Sequence, residues 1–108
     1  MPQLMCEGVA VAPAEVAATR WSRARGLLGR EGCDGVLVLD SVRGVHTLGM
    51  RFAIDVAFVD RAGTLVDVVE MRPWRLGRTR WRARSVLEAE AGSFARWGVR
   101  IGAHLEVA

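Results

Sequence analysis

Residues 52–59 read Phe-Ala-Ile-Asp-Val-Ala-Phe-Val. Phe52, Ile54, Val56 and Phe58 alternate with Ala53, Asp55, Ala57 and Val59. Successive strand side chains point to opposite faces, so this period of two predicts a strand with a bulky face and a small-residue face. Asp55 falls on the small-residue face among apolar neighbours, where a bare carboxylate would lose its hydration. It must therefore have partners or an opening. The next four residues, Asp60-Arg61-Ala62-Gly63, place glycine where a tight reversal wants a left-handed residue. Thr64 to Met71 is then expected to return antiparallel.

Upstream, Gly35 to Asp40 (GVLVLD) is a short unbroken apolar run between turn signals, as expected of a strand buried on both faces. Residues 8–18 are rich in valine and alanine but contain Pro13, which suggests an edge strand or two short extended pieces. Thr19 can N-cap a helix carrying Trp21, Ala24, Leu27 and Leu28 at helical spacing, with Gly29 and Gly32 ending it. Trp21 and Trp97 are expected in the core. Downstream, Arg72 to Arg84 reads as a loop, Ser85 to Ala91 as a strand, Gly92 to Trp97 as a helical turn and Ala103 to Val107 as a final strand. The sum predicts a small α+β domain over residues 1–108, with a mainly antiparallel bent sheet or partly closed barrel and one principal helix.

Composition narrows the class. Apolar residues make up 51% and charged residues 25%, a globular balance. All 15 basic residues are arginine, and lysine, asparagine and tyrosine are absent, a bias typical of a GC-rich genome. The formal charge is +3, and arginine forks favour carboxylate or phosphate, so a modest anion preference follows. Cys6 and Cys33 form neither a dense disulfide framework nor a CxxC signature, and reduced thiols are the default. The first residues lack an early positive charge and are interrupted by Glu7, Pro13 and Glu15, unlike a signal peptide. No stretch approaches the roughly 20 apolar residues that span a bilayer. A cytoplasmic protein without membrane association is expected.

Three stretches carry a family resemblance: Arg23-x-x-Gly26-Leu27-Leu28-Gly29-Arg30, then His46-Thr47-x-Gly49-Met50-Arg51-Phe52-x-Ile54-Asp55-Val56-x-Phe58-x-Asp60, then Leu87-Glu88-x-x-x-Gly92. In order and spacing they resemble the prokaryotic family called domain of unknown function 192, from about Ala18 to the chain end. The chain departs from the similar subgroup at Ala53 and Glu90, where proline is usual. The resemblance implies no established activity, and it implies export for many relatives, which this N-terminus does not support. What it contributes is a set of nominated positions.

Among these, Asp55 has a structural reading, in which it accepts N–H bonds from the turn His46 to Met50 and steadies it. It also has a functional reading, in which it orients His46 as a base. The structural one is preferred. No nucleophile completes a triad, because Ser41 lacks an elbow motif and Cys33 lies in a glycine-rich turn. Arg23 and Glu88 either tie helix to sheet as an ion pair or face an anionic ligand together with His46, Thr47, Met50 and Asp55. The loop 72–84 holds six arginines with Trp74 and Trp81. Arg75, Arg78, Arg80, Trp81 and Arg82 there have the composition that grips phosphates and stacks on bases. His104 is expected as a half-exposed strand residue. No metal site or cofactor is expected, since the cysteines, histidines and carboxylates show no ligand spacing. The leading expectation is a non-enzymatic binding or accessory domain. Its cleft would lie between the turn His46 to Phe52 and the loop Arg72 to Arg84, and it would take a small anionic ligand or a protein partner. The alternatives are a hydrolase using His46 and Asp55, and a polyanion or nucleic-acid binder using the arginine-rich loop.

Overall fold

Residues 2–108 are described by the structure, a computed structural model. In chain order the elements are β1 (Gln3–Cys6), β2 (Val9–Val16), α1 (Arg20–Arg25), β3 (Val36–Asp40), β4 (Ile54–Val59), β5 (Leu65–Met71), β6 (Ser85–Glu90), α2 (Ser93–Arg96) and β7 (Leu105–Val107). The seven strands share one sheet in the order β5-β4-β6-β3-β2-β1-β7. Every neighbouring pair is antiparallel except β2 and β3, which run parallel across the α1 connection. The chain entering each edge strand meets at one bridge, Thr64 to His104, but the sheet is not closed. Among the described residues no helix is long and apolar enough to cross a membrane.

The alternation read in residues 52–59 divides the core. Ile54, Val56 and Phe58 pack with Leu27, Leu37, Leu39, Met50 and Val86 on one face. Ala57 and Val59 pack on the other with Leu4, Val36, Val38, Leu87 and Phe94. All six residues of β4 are buried, because β5 and β6 flank it and each face is covered. The hairpin turn forms as expected: Asp60 Oδ1 accepts from Ala62 N and Thr64 N at 2.9 Å, and Gly63 has φ +86°.

Three expectations are corrected. β2 is not an edge strand, since it pairs with β1 on one side and β3 on the other. Pro13 is tolerated because it stands where pairing with β1 ends, at Gln3, and just before pairing with β3 begins, at Ala14. The helix capped by Thr19 has its capping box with Ser22 but stops at Arg25, because Gly26 takes φ 55° and ψ −132°. Trp21 is 75% exposed instead of core, whereas Trp97 packs edge-on against Phe94 with centroids 5.5 Å apart.

Asp55 finds its donors elsewhere than expected. Ile54 of β4 pairs with Glu90 of β6, so the chain leaving β6 passes the start of β4 and brings α2 beside it. Gly92 N and Phe94 N donate to Asp55 Oδ2 at 3.1 and 3.2 Å. The side chain thus serves as the cap that Gly92 itself cannot supply. Among the described residues the turn His46 to Met50 donates nothing to Asp55. Replacing Asp55 by alanine strands two N–H groups and should cost about 2 kcal/mol. Urea unfolding monitored by tryptophan fluorescence is expected to show that loss, and an unchanged midpoint would contradict the capping role.

Candidate functional site

β6 carries Glu88 on the same face as Val86, opposite Val56 and Leu37 on the flanking strands. Only 3% of Glu88 is exposed. Burial of a carboxylate requires donors, and the sequence after α1 supplies one. The sharp turn at Gly26 lays the chain directly over the carboxyl, and Leu27 N donates to Glu88 Oε1 at 3.2 Å. A Cβ on Gly26 would stand 2.7 Å from that oxygen, so the turn requires glycine both for its backbone angles and for its proximity. Among the described residues no donor reaches Oε2, and it is not sealed from solvent.

The opening before Glu88 is a cavity of about 360 Å³ between α1 and the segment that follows β3. Its lining includes Arg20, Arg23, Gly26, Ser41, His46 and Glu88. Arg23 is half-buried and Arg20 exposed. Neither forms an ion pair among the described residues, so the helix is not tied to the sheet by an Arg23–Glu88 bridge. His46 Nδ1 accepts from Leu48 N at 3.2 Å, which in the neutral ring leaves the proton on Nε2. No hydrogen bond joins Ser41, His46 and Glu88 to one another among the described residues.

Of the positions singled out from sequence, Arg23, His46 and Glu88 therefore border one cavity. Asp55 lies on the opposite face of the sheet with Ala57 and Val59, beside a shallow groove that it shares with Glu70 and Arg100. Thr47 is fully buried and staples two loops: its Oγ1 donates to Arg72 O at 2.6 Å and accepts from Arg75 N at 2.9 Å. Met50 is core. With the bridge between His46 and Leu76 and the bond from Gly77 N to Val45 O, these contacts zip the turn His46 to Phe52 onto the loop Arg72 to Arg84. The cavity that His46 reaches is bounded by α1 instead of by that loop. Arg20 was not singled out from sequence, and Ser41 was weighed there only as a nucleophile. Arg20 was legible, since it stands three residues before Arg23 and so shares its helix face.

In the arginine-rich loop, Arg80 is committed to the fold. Its Nε and Nη2 lie 3.0 and 2.9 Å from Asp67 Oδ2, and its guanidinium sits 4.5 Å from the centroid of the buried Phe58 ring. Arg75, Arg78 and Arg82 are exposed, as is Trp81 at 80%. The two cysteines are free, and burial pushes the Cys33 thiol above its ordinary value, which disfavours it as a nucleophile.

Burial pushes the Glu88 carboxyl from 4.5 up to about 7, against the Leu27 N–H bond and the positive charge of Arg30, which both favour its ionised form. Between those values the folded chain holds a proton that the unfolded chain has released, so stability falls as pH rises through this window. A displacement of this size corresponds to about 3 kcal/mol. Glu88→Gln should lack this fall, so its stability relative to the parent should rise by up to that amount from pH 4.5 to pH 7. Denaturant midpoints measured across the window check this; parallel pH profiles for the two proteins would contradict it.

An open seven-stranded mixed sheet with an arginine-rimmed cavity over a buried carboxyl defines a small α+β protein class. The profile of domain of unknown function 192, described as Uncharacterized ACR, matches residues 4–107, and the chain belongs to that family. It is 36% identical over 62 residues to UPF0127 proteins of Pyrococcus furiosus and Pyrococcus abyssi, a match covering 57% of this chain and 53% of each relative. The matched stretch thus spans about half the length of those relatives. A solved structure of a protein of unknown function from Novosphingobium aromaticivorans is similar with a TM-score of 0.80 and 17% identity, over 97% of this chain and 82% of that one. A Sinorhizobium meliloti protein proposed as a transcription regulator is similar with a TM-score of 0.79 and 24% identity, over 98% of this chain and 91% of that one. Both likenesses show the fold.

Proposed function

We propose that this chain is a non-enzymatic binding domain that takes a small anionic ligand in the cavity between α1 and the segment after β3. The observation that carries this reading is the gathering of Arg20, Arg23 and Arg25, three arginines without ion-pair partners among the described residues, at one cavity that His46 also lines. Arginine recognises carboxylate or phosphate through paired donors. The hydrolase alternative loses support because its two residues, His46 and Asp55, lie on opposite faces of the sheet. The free thiols of Cys6 and Cys33 favour a reducing, cytoplasmic setting.

A second reading, polyanion binding, draws on Trp81 exposed among Arg75, Arg78 and Arg82. The description of the Sinorhizobium meliloti protein is compatible with it but bears on that protein. Arg80 is unavailable for this role because Asp67 and Phe58 engage it.

Calorimetric titration with succinate and with inorganic phosphate at low ionic strength tests the first reading. Arg23→Gln is expected to weaken binding about tenfold, one charge-assisted contact, with melting unchanged. Equal affinity in parent and variant would contradict the assignment.

A further inference from the structure

We propose that the ligand of this cavity carries an ammonium group as well as a carboxylate, as an apolar α-amino acid does, with the ammonium on Glu88 and the carboxylate on Arg20 and Arg23. The inference rests on the cavity being the ligand site and deepens that reading. Its starting point is the single protein donor that the buried Glu88 carboxyl receives, from Leu27 N. The side chain is 97% buried by its 3% exposure, its Oε1 has a single backbone donor in Leu27, and its Oε2 has none among the described residues. Buried polar groups are ordinarily bonded on every side that water cannot reach freely. Among the described residues no buried side-chain oxygen is left without a partner, so Oε2 opens toward the cavity that Glu88 lines, where a donor carried by a ligand can reach it.

The arrangement of charge fixes the rest. Around Glu88 stand Arg20, Arg23 and Arg25 from α1, Arg30 from the turn that follows, His46 from the segment after β3 and Glu90 from β6 itself. Arg25 is drawn away by donating its Nε to Leu28 O, Arg30 by pairing with Glu15, and Glu90 by accepting from Cys33 N. Arg20, Arg23, His46 and Glu88 remain for a ligand. A simple anion held by the two arginines would bring negative charge toward the Glu88 carboxylate. A simple amine on Glu88 would meet two guanidinium groups. A zwitterion places each charge opposite its complement. Leu39, Val42 and Val45 add an apolar wall suited to a hydrocarbon side chain. A volume of about 360 Å³ lies at the small end of ligand pockets and admits a molecule of this size.

Three probes separate the possibilities: leucine, which has both charges; 4-methylpentanoate, which has only the carboxylate; and 3-methylbutylamine, which has only the ammonium. At about pH 8, where a Glu88 carboxyl with the value given above is mostly ionised, calorimetric titration of the full chain is expected to rank leucine about tenfold or more above either single-charge probe. Glu88→Gln should bring leucine down to the level of 4-methylpentanoate, and Arg23→Gln should bring it down to the level of 3-methylbutylamine. If 4-methylpentanoate binds the parent as tightly as leucine, the zwitterion inference is wrong while the anion-binding reading stands. If none of the three binds, the zwitterion inference is overturned, and the succinate and phosphate titrations decide whether the anion-binding reading falls with it. The ranking in the parent protein decides even if Glu88→Gln fails to fold.

Discussion

A carboxyl group removed from water on the inner face of a sheet is the constraint around which this structure is arranged. Glu88 sits between β3 and β4 on the interior strand β6, where hydrocarbon surrounds it on both sides. The chain answers by ending α1 abruptly and turning at Gly26, so that a backbone N–H arrives where no side chain would fit. That turn has a second effect. It holds the six-residue helix beside the sheet face that carries Glu88, with Arg20 and Arg23 lining the cavity that Glu88 also borders. The family motif linking Arg23, Gly26, Leu27 and Glu88 is therefore one spatial unit contributed by two distant segments.

The opposite face buries a carboxylate too, and the contrast is informative. Asp55 is 6% exposed, and two N–H groups at the start of α2 converge on one of its oxygens. Its role is accounted for by the short helix it caps. Glu88 receives a single N–H, organises no helix start and opens on a cavity whose cations lack partners. Two acidic residues in one sheet thus differ in their surroundings: Asp55 caps a helix, whereas Glu88 borders a cavity lined by arginines.

Local pattern was enough for the hairpin β4–β5, for β6 with the helical turn after it, and for β3 and β7, since each announces itself by alternation or by an apolar run between turn residues. It failed where an outcome depends on which strands become neighbours. β1 went unread because Glu7-Gly8 is a weak turn signal, although both residues take positive φ there as a two-residue hairpin turn needs. β2 looked like an edge because proline usually marks one, and only the parallel crossover to β3 shows that Pro13 sits at a change of partners. The same limit applies to the site. His46, Asp55 and Glu88 were nominated together for one ligand site, but the meeting of His46 and Glu88 across 42 residues follows from sheet order, as does the separation of Asp55 from His46, only nine positions away. Exposure of Trp21 was unreadable because the helix ends one turn earlier than its spacing suggested.

What the account needs above all is that Glu88 be a poorly hydrated carboxyl in the folded chain. Carbon-13 NMR of its side-chain carboxyl, followed as pH is varied, reports that property directly. A titration midpoint of about 7 is the predicted result, and a midpoint near the ordinary 4.5 would show that the group is well solvated and the cavity chemistry built on it does not hold.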